Sequence, residues 1–289
     1  MVDSSPQSHQ SASKDAEASS SPSADAASAG SSEAVRAARM VADAIAGSIE
    51  APEAEAGLSC PASRNRDAEK VQLAVFDFDG TSISGNSPVM LVSHLARRRL
   101  LKPHTVFLIL LWAFAYKCRL PQNQSWVRGL VFSAFEGWPV EKVNAFLAEF
   151  YDERVAERFR AEADAAMREH AEAGEVVVVV SATFEPILVR AKEQHPFDYQ
   201  VSTRMRVLDD GTYSSQVDGK CVEGDQKLVA LRAFADERFG KGKWEIACAY
   251  GDHHSDRAIL AAARTPCVVD PDRPLRRTAR RQGWTILHW

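Results

Sequence analysis

The chain has 289 residues with 45% hydrophobic content, 35 Lys and Arg against 39 Asp and Glu, and a net charge of −4, enough for one good core with a smaller accessory one. Residues 1–66 carry five basic and nine acidic residues, which accounts for the whole of that charge. The remainder is neutral overall, which argues against nucleic acid as a partner, because backbone binding needs a basic surface. Five cysteines, Cys60, Cys118, Cys221, Cys248 and Cys267, show no C-x-x-C pair. Their odd number and scattered spacing fit free thiols in a reducing compartment rather than a disulfide framework or a zinc site.

Residues 1–66 are dominated by Ser, Ala, Asp, Glu and Pro. Such a segment buries too little apolar area to offset its ordering entropy and is expected to be a disordered tail. It lacks the basic start and apolar run of a secretory signal, so a cytoplasmic protein is expected.

Val71–Gly80, VQLAVFDFDG, is a short apolar run that ends in two carboxylates. The run predicts a buried parallel strand. Asp77 and Asp79, two apart, leave the same face if the extended chain persists through Phe78. Like charges that close ask for a hard cation or a shared proton. Gly80 and Thr81 then allow a turn whose N–H groups face an anion.

Residues 82–174 read as helical almost throughout, too long for a loop between adjacent strands and therefore a helical cap, with boundaries at 83–174. Its apolar centre is Val106–Tyr116, eleven residues, against the roughly twenty that span a bilayer. Arg97, Arg98, Arg99 and Lys102 precede it and Lys117 and Arg119 follow, so a buried cap helix competes with one resting on the inner face of a membrane. A helix is expected from Pro139 to Phe150 and onward to Ala173, with Arg154, Arg158 and Arg160 on a solvated face and Trp126 and Trp138 as core fillers.

Glu175–Ser181, EVVVVVS, predicts a strand covered on both faces, with Ser181 at its carboxyl end. Phe197–Ser202 is a weaker strand, and Asp209-Asp210-Gly211 marks a hairpin within Met205–Val217. Lys227 falls in the first turn of a helix that follows Cys221 and Gly224. Ile246–Tyr250 predicts another buried strand. Gly251-Asp252 then opens a helix on which Asp252 and Asp256 share one side. His253 and His254 point apart on a helix and do not make a transition-metal site. A strand, a helix rich in Arg273, Arg276, Arg277, Arg280 and Arg281, and a short strand close the chain. That helix is read as a solvated face, with anionic lipid headgroups as the alternative partner.

Taken together, VFDFDGT, Ser181, the C-x-x-G-x-x-K spacing of Cys221, Gly224 and Lys227, and the G-D-x-x-x-D run from Gly251 to Asp256 resemble the four motifs of the haloacid dehalogenase superfamily. The similarity extends over residues 71–289 and is strongest to the phosphoserine-phosphatase-like members. It implies an α/β fold, a doubly wound Rossmann-like parallel sheet, whose core is residues 67–82 and 175–289, with the cap at 83–174. It also implies a Mg²⁺-dependent phosphomonoester hydrolase working through an aspartyl-phosphate. Asp77 and Asp79 are then the catalytic pair, Ser181, Lys227 and Thr81 bind the phosphate, Asp77, Asp79 through its carbonyl and Asp252 hold the metal, and Asp256 and Gly251 support them. The resemblance places Asn86 where phosphoserine phosphatases carry an acidic residue for the substrate ammonium, which argues against phosphoserine. Small phosphorylated metabolites, a lipid phosphate as in phosphatidylglycerophosphatases, and transfer of the phosphoryl group to another acceptor stay open. Oligomeric state is not fixed by the sequence.

Overall fold

The structure, a computed structural model, describes residues 69–101 and 131–289. Val106–Tyr116 and Trp126, like residues 1–66, lie outside those residues.

The first strand, β1 (Val71–Asp77), is followed by α1 (Ser87–Arg97), α2 (Val140–Phe150), a π turn at Tyr151–Val155, a 3₁₀ turn at Ala156–Arg158 and α3 (Ala161–Glu172). Then come β2 (Val176–Phe184), α4 (Glu185–Lys192), β3 (Tyr199–Thr203), the hairpin β4 (Met205–Val207) and β5 (Tyr213–Val217), and α5 (Asp225–Phe239). The chain continues through β6 (Trp244–Gly251), a 3₁₀ turn at His254–Asp256, α6 (Arg257–Ala262), β7 (Thr265–Val269), α7 (Arg273–Gln282) and β8 (Thr285–Leu287).

Six strands form one sheet in the order β3-β2-β1-β6-β7-β8, and every pair in it is parallel. Alternation along the strands explains why both faces are covered. Ala74, Phe76, Val177 and Val179 enter one core cluster, whereas Leu73, Val75, Val178 and Val180 enter the other. The chain winds outward from β1 to β3, returns to β6 beside β1, and winds outward the other way. The strand order therefore reverses between β1 and β6, and the carboxyl ends of those strands flank the crevice where open α/β sheets bind ligands.

Several expectations need correction. β1 stops at Asp77, so Asp79 lies beyond the strand. β2 runs past Ser181 to Phe184, with a register shift between Ser181 and Phe184 in its pairing with β3. The expected continuous helix to Ala173 is broken, because Phe159 and Arg160 are extended at φ −65°, ψ 130° and φ −78°, ψ 132°. Phe159 bridges Ile83 there, and hydrogen bonds run from Ser84 N to Arg158 O at 2.8 Å and from Arg160 N to Ser82 O at 2.9 Å. The departing and returning strands of the segment between β1 and β2 thus run side by side. Arg160 leaves the solvated face expected of it: its guanidinium donates to Gly80 O at 3.3 Å, Asp270 Oδ2 at 3.2 Å and Trp289 O at 2.5 Å. Trp138 packs half-buried against the core as expected.

Cys221 and Cys248 are free thiols. Cys267 is disulfide-bonded, which corrects the expectation of free thiols throughout; an odd number of cysteines leaves room for a bridge. Among the described residues no helix is long and apolar enough to cross a membrane.

Candidate active site

Asp77 ends β1 on the crevice, and two residues that follow it shape the turn. Ser82 Oγ donates to the Asp77 carbonyl at 2.6 Å, and Gly80 takes φ +84° while its N–H bonds Gly85 O at 2.9 Å rather than facing an anion. Glycine is required here for space as well as for φ: a Cβ at Gly80 would lie 2.1 Å from Asp252 Oδ2.

Lys227 rises from the first turn of α5, as its helical spacing predicts, and is buried. Its Nζ donates to Asp77 Oδ1 at 2.5 Å and to Asp256 Oδ1 at 2.6 Å. Asp252 follows β6 directly, ahead of the 3₁₀ turn, and Asp256 closes that turn. The two carboxylates are therefore not on the first turn of one helix, as their spacing suggested. They are brought together by a capping box, in which the His253 side chain accepts from Ser255 N and His253 N donates to Asp256 Oδ2 at 3.2 Å. His253 is thereby a capping residue. Gly251 backs this turn, since a Cβ there would sit 2.8 Å from Asp256 Cβ.

Asp77, Asp252 and Asp256 each present an oxygen within 4.8 Å of the others. Among the described residues one ammonium, bonded to Asp77 and Asp256, faces three carboxylates in a buried crevice, and the electrostatics register the deficit. Burial, then Asp256, pushes the Asp77 carboxyl up to about 7 against the opposing pull of Lys227. Burial, then Asp77 and Asp256, raises Asp252 well above the usual carboxylate range. Burial alone would lower Lys227, but Asp256 and Asp77 outweigh it and hold the ammonium firmly charged. An all-oxygen set short of positive charge fits a hard divalent cation.

The remaining expected site residues take distinct places. Thr81 is fully buried and donates its hydroxyl to Asp252 Oδ1 at 3.3 Å, so its side chain addresses a carboxylate. Ser181, buried on β2, accepts from Thr183 N at 3.0 Å, and its own hydroxyl proton is left to donate elsewhere. Asp79 turns its side chain away from the three-carboxylate cluster: Oδ1 accepts Ser87 N at 2.5 Å and Oδ2 accepts Thr183 Oγ1 at 2.7 Å. Burial raises the Asp79 carboxyl, and the Ser87 N–H, the Thr183 hydroxyl and the Ser87 hydroxyl oppose the shift. Sequence reasoning missed Thr183 and Ser87. The signal was present for Thr183, which stands two residues beyond Ser181 in one strand.

A second group, His170, Glu175 and Cys248, lies in the core. Both imidazole nitrogens are engaged, Nδ1 with Glu175 at 2.5 Å and Nε2 with the Tyr250 hydroxyl at 2.8 Å. Burial pushes the Cys248 thiol up to about 12. This is a hydrogen-bonded core network and not a metal site.

The sequence pattern of the haloacid dehalogenase-like hydrolases matches residues 74–261, which contain every residue of the carboxylate cluster. The chain belongs to that family. A probable phosphatase of Mycobacterium tuberculosis is 30% identical over 221 residues, covering 74% of each chain. A phosphoserine phosphatase of the same organism is 26% identical over 240 residues, 82% of this chain and 75% of that one. A substrate-bound phosphoserine phosphatase shares the fold with a TM-score of 0.51 at 21% identity, over 75% of this chain and 93% of that one. This haloacid dehalogenase-like hydrolase therefore stands among the family's phosphatase-like enzymes, with the doubly wound core they share.

Proposed function

We propose that the enzyme is a Mg²⁺-dependent phosphomonoester hydrolase that forms an aspartyl-phosphate on Asp77. The observation that carries this reading is the convergence of Asp77, Asp252 and Asp256 around Lys227 at the reversal point of the sheet. Asp77 and Asp252, with the Asp79 carbonyl, would hold Mg²⁺, and Asp256 adds a carboxylate within reach. The cation supplies the charge that lets a carboxylate approach a phosphate dianion.

An Asp77 carboxylate oxygen attacks phosphorus as the bond to the leaving oxygen breaks, and Asp79 gives that oxygen its proton. Asp79 then takes a proton from water, whose oxygen displaces the Asp77 carboxylate and completes inorganic phosphate. Lys227 and the Ser181 hydroxyl meet the charge on the non-bridging phosphate oxygens. Thr81 acts through Asp252, to which its hydroxyl is committed. Residues 83–174 serve as the cap that excludes water and selects substrate.

The substrate we propose is a phosphorylated small molecule with no ammonium to be paired at residue 86. Asn86 is uncharged and spends its side-chain oxygen on the N-terminus of α1, accepting Val89 N at 3.1 Å. The case for a lipid phosphate rests on Val106–Tyr116 and its basic flanks; the run, Lys102, Lys117 and Arg119 lie outside the described residues, and Arg98 of the leading flank is paired with Glu149 and Glu153.

Phosphate release from p-nitrophenyl phosphate, with and without Mg²⁺, for the parent and Asp77→Asn, tests the reading. Mg²⁺-dependent release lost in the variant supports it. No Mg²⁺-dependent release from the parent contradicts it. Release of nitrophenol that outruns phosphate, with the difference recovered on an added alcohol, would instead mark a phosphotransferase.

A further inference from the structure

Asp79 is gripped from two directions by groups that the mechanism leaves unexplained. Ser87 is the first residue of α1, and its backbone N–H donates to Oδ1. Thr183, near the end of β2, donates its hydroxyl to Oδ2. The Ser87 and Thr183 hydroxyls in turn lie 2.7 Å apart. When Asp79 is ionised the Thr183 proton goes to Oδ2, and the Ser87 hydroxyl is then the donor in that pair. Both residues are buried, Ser87 at 0% and Thr183 at 2% exposure, so water does not replace either bond at no cost.

We propose that Thr183, backed by Ser87, is a positioning residue that sets the orientation in which Asp79 exchanges its proton with the leaving oxygen. Each carboxylate oxygen has two acceptor lone pairs. With one pair on each oxygen filled by Ser87 N–H and Thr183 O–H, the transferred proton is confined to the pairs that remain. The carboxyl plane is fixed as well, since two donors on different oxygens leave it no free rotation. The two donors come from β2 and from the first residue of α1, so the carboxyl is oriented jointly by the sheet and by the segment between β1 and β2. Ordinary packing does not account for the arrangement: an apolar residue would fill the space of Thr183 and leave Oδ2 without its donor.

The inference rests on the assignment of Asp79 as proton donor, and its test separates the two. Proton donation matters most when the leaving oxygen is basic and least when it departs readily as an anion. Hydrolysis of a series of substituted phenyl phosphates, from dinitrophenyl to methoxyphenyl, is measured with Mg²⁺ for the parent, Thr183→Val, Thr183→Ser and Ser87→Ala. Thr183→Val should lose about tenfold or more in kcat/KM on the most basic leaving group and little on dinitrophenyl phosphate, a fraction of the 10²–10⁴-fold range of acid–base catalysis. Thr183→Ser, which keeps the hydroxyl, should restore the parent's dependence on leaving group. Ser87→Ala, which keeps the N–H, should show the same selective loss in weaker form, and it decides the matter if Thr183→Val does not fold. Equal losses across the series, with the parent active, overturn the role of Thr183 and leave the hydrolase reading standing. A parent inactive on every member overturns both.

Discussion

The Lys227 ammonium lies 2.5 Å from Asp77 Oδ1 across 150 positions of sequence, and its other carboxylate partner is the fully buried Asp256. It is the positive charge that holds the crevice together. Replacing it with Met keeps the stem and removes the charge, leaving Asp77, Asp252 and Asp256 to repel one another. Breaking a buried pair from one side costs about 3–5 kcal/mol, and loss of a donor to the phosphoryl oxygens costs about 10²–10³ in kcat. Thermal melting and steady-state kinetics of Lys227→Met check both, and a variant as active as the parent contradicts the assignment.

Gly80 and Asp252 set a second expectation. Gly80→Ala forces a Cβ to within 2.1 Å of Asp252 Oδ2 and strains a φ of +84°. Asp252 must move, and a misplacement of about 1 Å in the groups that position the chemistry costs on the order of 10²-fold in rate. The kcat of Gly80→Ala is the readout, together with a raised Mg²⁺ requirement. Full activity at the parent's Mg²⁺ concentration contradicts the close approach.

The carboxylate cluster predicts how stability responds to pH. Asp77 moves from its ordinary 3.8 to about 7 in the metal-free fold, and Asp252 moves in the same direction. Between those values the folded state binds more protons than the unfolded chain, so stability falls as pH rises. Melting in EDTA should therefore give a midpoint that declines from pH 5 to pH 8. Mg²⁺ supplies the missing charge, so its stabilising effect should grow over the same interval. A midpoint that rises with pH in EDTA contradicts the cluster's geometry.

The core network supplies a control. Tyr250→Phe keeps the ring that stacks on Phe76 at 4.2 Å but removes the hydroxyl facing His170 Nε2. An unpaired buried nitrogen costs about 1–3 kcal/mol. The melting midpoint should drop with kcat little changed. A large loss of activity in a protein that still melts cooperatively would assign the network to the chemistry.

What the sequence revealed follows the range over which each signal acts. Asp77 and Lys227 could be located because one ends an apolar run and the other sits in the first turn of a helix with local spacing, and Ser181 because it follows the valines of β2, which declare a strand covered on both faces without reference to anything distant. Asp79 was misdirected because its placement depended on where β1 stopped, and that is settled by the Ser82 and Ile83 N–H bonds back to Asp77 O and Phe78 O. Thr183, Ser87 and Arg160 act across 104, 8 and 80 positions, respectively, on Asp79 and Gly80. Only the assembled sheet and the paired chain at residues 82–84 and 158–160 bring them there. The break at Phe159 and Arg160 has no Gly or Pro to announce it; the pairing with Ile83 imposes it against a helical composition.

In the proposed mechanism the phosphoryl group rests on Asp77 during turnover. Rapid acid quench of the enzyme with substrate and Mg²⁺, followed by peptide mass spectrometry, reads this out. A single acid-stable, base-labile phosphoryl group is expected on the peptide bearing Asp77, absent in Asp77→Asn and dependent on Mg²⁺. Turnover with no phosphorylated peptide under conditions where phosphorus transfer outpaces hydrolysis, or a phosphoryl group on any other residue, would contradict it.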